Sequence, residues 1–257
     1  MTTLRSAYVW VVVSLLMLVW LPWLAFVRLT DRDPAHYRTG RWFRRLGVAM
    51  TRVNPFWTIE VSGRMPENPR KPYVVICNHQ SLADIPIVSL LPWEMKWVGK
   101  AELWKVPVIG WMMRLSGDIP VRRGDARDGA KALITARDYL RKKCSVIFFP
   151  EGTRSKDGRV RPFNEGAFGL AIKERLTVLV VALDGTVAAL PKNDWRFSGT
   201  GPIRLKVVGE VETDTYGKRE AGRLAADVRS MIIGQVAEWR GVDAAELDGA
   251  RKTAVLS

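Results

Sequence analysis

Ala7 to Val27 reads AYVWVVVSLLMLVWLPWLAFV, 21 residues without a single charged side chain. As a helix this run would be roughly 30 Å long, the thickness of the hydrocarbon layer of a bilayer. It is therefore expected to be a membrane-embedded segment, and the rest of the chain must fold beside it. Three forms stay open: a spanning helix, a helix pair or re-entrant turn in one leaflet bent at Pro22, and a cleaved signal peptide. The last is disfavoured by the length, the bulky tryptophans and the lack of a small-residue cleavage pattern. Only Arg5 precedes the run, whereas Arg28, Arg32, Arg38, Arg41, Arg44, Arg45 and Arg52 follow it. By the positive-inside bias the large C-terminal part faces the cytoplasm, at what is expected to be a bacterial-type inner (plasma) membrane.

Forty Lys and Arg against 26 Asp and Glu give a formal charge of +14 over 257 residues. That charge favours a polyanionic neighbour, nucleic acid or an anionic membrane surface, and the apolar run selects the membrane. From Gly40 to Val53 a basic amphipathic helix is predicted, with Trp42, Phe43, Leu46, Ala49, Met50 and Val53 on one side and Arg41, Arg45 and Arg52 on another. Such a helix lies on anionic headgroups or packs its apolar side onto the protein. Trp42, Arg45, Arg52, Trp104 and Trp111 are the residues expected at the membrane interface. Cys77 and Cys144 lie in apolar runs without metal-ligand spacing, so they are expected as buried thiols.

After Phe56, β-rich runs and helical stretches alternate. Strands are predicted at Trp57–Val61, Tyr73–Cys77, Met95–Val98, Ile119–Val121, Ser145–Phe149, Val178–Leu183 and Ile203–Val211. Helices are predicted at Leu82–Leu90, Ala126–Lys142, Glu165–Arg175 and Arg219–Trp239. The alternation argues for an α/β sheet with helical crossovers. The domains expected are an anchor with its basic helix at 1–55, an α/β domain at 56–240 and a flexible tail at 241–257.

Three polar clusters follow apolar strands. In Asn78-His79-Gln80-Ser81-Leu82-Ala83-Asp84 a histidine stands five positions before an aspartate, and the chain has only two histidines. An aspartate on Nδ1 would leave Nε2 free as a base, without any Gly-x-Ser-x-Gly nucleophile in the chain, so the nucleophile would be a substrate hydroxyl. The same spacing, Ser81-x-x-Asp84, is also a capping box. In Phe149-Pro150-Glu151-Gly152-Thr153-Arg154-Ser155, Gly152 permits close backbone approach, Thr153 offers a hydroxyl and Arg154 a forked contact to phosphate; a plain polar turn is the alternative. In Gly117-Asp118-Ile119-Pro120-Val121-Arg122-Arg123, Arg122 and Arg123 offer two further guanidinium groups, or simply surface charge.

Taken in this order, the clusters resemble the membrane acyltransferases typified by 1-acylglycerol-3-phosphate acyltransferase. The segments that carry the resemblance are NHQSLAD at 78–84, GDIPVRR at 117–123 and FPEGTRS at 149–155, supported by RPFNEGAFGLA at 161–171 and VLVVALDG at 178–185. The resemblance implies a mixed α/β sheet flanked by helices, preceded by a membrane-embedded helical element. It implies His79 as general base and Asp84 as its orienting partner. Positions matching Gly117, Arg123, Glu151, Gly152, Thr153 and Arg154 would hold a glycerol-phosphate acceptor. The implied reaction acylates the sn-2 hydroxyl of lysophosphatidic acid, with acyl-CoA or acyl-carrier protein as co-substrate and no other cofactor or metal. Pro120 and Val180 depart from the family pattern, which bears on the acceptor and leaves lyso-ornithine lipid or another lysolipid as the alternative. A non-catalytic lipid-binding protein, a thioester hydrolase and a nucleic-acid binder are the readings from other classes. The last has no recognition motif to support it.

Overall fold

The computed structural model describes residues 2–55, 57–198 and 201–250. These form two compact units that interleave along the chain. One gathers the described residues of Met1–Phe56, Met65–Tyr73 and Ile85–Ile147, the other those of Trp57–Arg64, Val74–Asp84 and Phe148–Ser257.

The first unit begins with α1 (Thr2–Thr30), which continues through Pro22 as one helix, so the bent helix pair is not what forms. It is long and apolar enough to cross a membrane, and its most apolar part is only 17% buried. Leu24 of α1 packs with Phe43 and Leu46 of α2 (Tyr37–Val53) and with Met112 and Met113 of α4 (Ile109–Ser116). Trp20 Nε1 donates to the Trp42 carbonyl at 3.0 Å. The apolar side of α2 is thus spent on protein, while Arg45 and Arg52 remain exposed. Leu4, Tyr8, Val11 and Leu15 of α1 are exposed, and an apolar surface of that extent is unfavourable in water.

One interface expectation changes here. Trp104, expected at the membrane surface, is only 9% exposed and belongs to the helical core cluster, whereas Trp111 is 52% exposed. Met112 and Met113 of α4 belong to the same core.

Strand β3 (Met95–Lys100) pairs parallel with β4 (Ile119–Val121) and β5 (Ser145–Phe148). Helix α5 (Ala126–Arg141) packs on β3 and β4. Asp125 starts it by accepting the N–H groups of Arg127 at 2.9 Å and Asp128 at 3.1 Å, a side-chain N-cap. Between α2 and these strands lies a closed charge network. Arg44 reaches Asp118 at 2.5 Å and Glu94 at 3.5 Å, and Lys96 reaches Glu94 at 3.0 Å, all four side chains being buried. Asp118 also accepts the Trp97 N–H, and Lys96 donates to the Ser116 carbonyl.

The second unit holds β1 (Ile59–Gly63), β2 (Val74–Cys77), β6 (Val178–Asp184) and β7 (Ile203–Val211) in the order β1-β7-β6-β2. β1 runs parallel to β7, β7 antiparallel to β6, and β6 parallel to β2, which makes a mixed sheet. Every residue of β6 is buried, as its near-continuous apolar run requires. Helix α8 (Ala221–Arg240) covers β6 and β7, with Leu224, Val228 and Ile232 buried, and α6 (Gly166–Glu174) packs against it. All seven predicted strands form, each within two residues of its expected bounds. The predicted helix at Leu82–Leu90 contracts to α3 (Asp84–Val88). The expected flexible tail begins instead with a 3-10 turn at Ala244–Leu247, whose buried Leu247 takes the Val160 N–H on its carbonyl at 2.9 Å. Residues 251–257 lie outside the described residues.

Candidate active site

The ladder between β2 and β6 does not stop at Cys77. The Asn78 side chain continues it, donating from Nδ2 to the Leu183 carbonyl at 2.8 Å and accepting the Leu183 N–H on Oδ1 at 2.9 Å. This fastens the turn that carries His79 to the end of β6. His79 Nδ1 then lies 2.6 Å from Asp84 Oδ2, and both side chains are buried. Because a carboxylate only accepts, Nδ1 carries the proton and Nε2 is the nitrogen left to take one.

Asp84 Oδ2 also accepts the backbone N–H groups of Gln80 at 2.7 Å and Ser81 at 3.0 Å. The capping arrangement and the His–Asp pair are therefore one structure, in which the carboxylate that organises the turn also orients the imidazole. Ser81 Oγ accepts from the Ala83 N–H and donates to the Leu190 carbonyl, which closes α7 (Thr186–Ala189) against the turn. The His79 ring stacks on Phe149 with centroids 4.4 Å apart.

Glu151 holds the same turn from its other side. Its Oε1 accepts the His79 N–H at 2.7 Å and its Oε2 the Arg161 N–H at 3.1 Å, while the His79 carbonyl accepts the Ser155 N–H at 2.8 Å. With both oxygens engaged by backbone amides, Glu151 acts on the position of His79. Burial pushes the Glu151 carboxyl up to about 7, against the pull of those two amides. A carboxyl raised on folding favours the native state at low pH; its contribution is present below about 4.5 and is lost as pH rises through 7. Between pH 5 and pH 8 the wild-type chain should therefore lose, relative to Glu151→Gln, on the order of 3 kcal/mol of stability, read as a steeper fall in Tm in detergent micelles. Parallel pH profiles of the two proteins would contradict this.

The remaining expected site residues fall as follows. Gly152 has φ 69°, a left-handed turn position that suits glycine. Lys192 Nζ donates to Thr153 Oγ1 at 3.3 Å and to the Arg154 carbonyl at 3.2 Å, so a lysine outside the predicted motifs joins that loop. Among the described residues the Arg154 guanidinium has no carboxylate partner. In the first unit, Gly117 caps α4 with φ 76°, and a Cβ there would run into Tyr139 Oη. Arg122 is exposed and forked onto Asp128, Nε to Oδ2 at 2.7 Å and Nη2 to Oδ1 at 3.0 Å; Arg123 is exposed. Cys77 and Cys144 are buried thiols as expected, with Cys144 pushed up to about 12 by burial.

Residues at and just after the C-terminal end of β6 also reach the site. Thr186 Oγ1 donates to Asp84 Oδ1 at 2.5 Å. Gln80 Nε2 donates to Asp184 Oδ1 at 3.1 Å, and Asp184 is forked by Arg240 at 2.5 and 2.9 Å. The available sequence signal was their position beyond the C-terminal end of a fully apolar strand, where α/β folds place functional groups.

Residues 58–184 match the acyltransferase family. A Brassica napus chloroplastic 1-acyl-sn-glycerol-3-phosphate acyltransferase is 32% identical over 80% of this chain and 58% of its own length. The Cocos nucifera 1-acyl-sn-glycerol-3-phosphate acyltransferase is 30% identical over 89% of this chain and 71% of its own. Against the first of these relatives the chain therefore spans little more than half their length. The crystal structure of the 1-acyl-sn-glycerophosphate acyltransferase PlsC from Thermotoga maritima superposes with a TM-score of 0.78 at 26% identity, over 93% of this chain and 96% of that one. A mixed sheet, a His–Asp pair at the end of one of its strands, and these matched residues together show that the chain belongs to the acyltransferase family.

Proposed function

We propose that this protein transfers a fatty acyl group from an acyl thioester to the free sn-2 hydroxyl of lysophosphatidic acid, making phosphatidic acid. The observation that carries the reading is the buried His79–Asp84 pair, 2.6 Å apart, in a sequence without a Gly-x-Ser-x-Gly nucleophile motif. His79 Nε2 takes the acceptor hydroxyl proton as the oxygen attacks the thioester carbonyl. Asp84 keeps the Nδ1 proton in place and stabilises the imidazolium. The tetrahedral intermediate collapses, the carbon–sulfur bond breaks, and the imidazolium proton neutralises the departing thiolate. Acyl-CoA or acyl-carrier protein supplies the thioester.

Arg154, with Thr153 and Lys192 beside it, gives the acceptor phosphate charge-assisted donors. In this reading helix α1 sits in the membrane, and the arginines that follow it favour a cytoplasmic orientation of the chain after α1 by the positive-inside bias. Arg154→Ala should raise the KM for lysophosphatidic acid about 10- to 100-fold while kcat falls less, the pattern of a lost ground-state contact. An unchanged KM would remove Arg154 from the acceptor site.

The deciding assay measures free-thiol release from acyl-CoA by membranes carrying this chain, with and without lysophosphatidic acid, beside His79→Ala. Release that requires both the acceptor and His79, with phosphatidic acid formed, supports the reading. Release without acceptor identifies a hydrolase. Transfer to lyso-ornithine lipid in place of lysophosphatidic acid overturns the acceptor assignment.

A further inference from the structure

We propose that Thr186 is a positioning residue for the His79–Asp84 pair, so that the segment after β6 belongs to the machinery of acyl transfer. This rests on His79 being the base. Asp84 Oδ2 is engaged by three N–H donors, those of His79 Nδ1, Gln80 and Ser81. Its other oxygen, Oδ1, accepts the Thr186 hydroxyl at 2.5 Å. A carboxylate gripped at one oxygen alone retains freedom to rock about its Cβ–Cγ bond; a donor on the second oxygen fixes its plane. That plane sets the direction of the imidazole and hence of Nε2.

Thr186 is itself well held. It is fully buried, its χ1 is restricted by β-branching, and it opens α7 directly after Gly185. Gln80 constrains the hydroxyl further. Asp184 can only accept, so it fixes which end of the Gln80 amide faces it: Nε2 points to Asp184 and Oε1 is left 3.3 Å from Thr186 Oγ1. The threonine proton has Asp84 on one side and Gln80 Oε1 on the other, and the shorter contact to the carboxylate takes it. Arg240 anchors Asp184 in turn, so Gln80, whose backbone N–H is bonded to Asp84, ties the partner of the imidazole to the C-terminal end of α8.

The test compares Thr186→Val and Thr186→Ala, which lack the hydroxyl, with Thr186→Ser, which keeps it. Thr186→Val should lower kcat about 10- to 100-fold, the range expected for one charge-assisted hydrogen bond, and leave the acceptor KM within about twofold. Thr186→Ser should recover most of the rate. Thr186→Ala serves if Thr186→Val does not fold, as judged by Tm in detergent. Wild-type kcat in a folded hydroxyl-free variant, a loss confined to KM, or a serine variant as slow as valine would each overturn the proposal. If His79→Ala kept full turnover, the reading of the base would fail; if His79→Ala were inactive while Thr186→Val matched wild type, only the role of Thr186 would fail.

Discussion

His79→Ala lowers acceptor-dependent acyl transfer by at least about 10²- to 10⁴-fold, the share that a positioned general base supplies. The substitution should leave the fold intact. His79 contributes its backbone N–H to Glu151 and its carbonyl to Ser155, and alanine keeps both. Asp84 is a different matter, because Asp84→Ala would strand the Thr186 hydroxyl and the Gln80 and Ser81 amides, and so mix a catalytic with a structural loss. Asp84→Asn is the cleaner probe. Its amide oxygen can keep the three N–H donors now on Oδ2, with the amide NH2 turned to Thr186 Oγ1, but the negative charge that stabilises the imidazolium is gone, and a loss of up to about 10³- to 10⁴-fold is expected by analogy with hydrolytic triads. Rates of thiol release, normalised to folded protein in the membrane, check both variants. A His79→Ala protein with wild-type turnover would remove the proton-transfer mechanism altogether.

Arg44→Ala should be among the most destabilising single substitutions in the first unit. The guanidinium is buried between Asp118 and Glu94, and Lys96 completes a group of two cations and two anions. Pairing with Asp118 and Glu94 outweighs burial and keeps Arg44 more basic than usual, whereas burial outweighs pairing at Glu94 and pushes its carboxyl up. Removing Arg44 leaves Asp118 and Glu94 with excess buried negative charge, at a cost of about 3–5 kcal/mol. In a chain of this size that corresponds to a fall of roughly 10 °C in Tm. Arg45→Ala is the control one position along. Its guanidinium is exposed and lies 4.4 Å from the Trp42 ring centroid, an interaction of about 1 kcal/mol or less at a surface. Equal melting temperatures for the two variants would show that the network contributes nothing.

Arg44 also marks where sequence reasoning stops. In the chain it is one of a row of arginines after the apolar run, and nothing in its neighbours separates it from Arg45. The difference arises because α2 turns one side toward Asp118 and Glu94, residues 74 and 50 positions away in the numbering. Trp104 and Trp111 are an equivalent pair: the sequence places both at an interface, and packing against Leu24, Phe43 and Met112 buries only the first. Glu151 reads as a substrate contact from its motif, yet its two oxygens are spent on the backbone of residues 79 and 161.

What the sequence determined by itself is local: the apolar helix from its uncharged run, the strands from their β-rich patches, and the His79–Asp84 pair, because five residues of one turn suffice to bring ring and carboxylate together. The partners that make the pair rigid, Thr186 and Glu151, lie 102 and 72 positions away from the residues they hold. Only the pairing of β2 with β6 and the return of the chain after β5 decide those contacts. Hydrogen bonding acts at about 3 Å in space regardless of distance along the chain, and no periodicity in the sequence encodes which distant side chain will arrive.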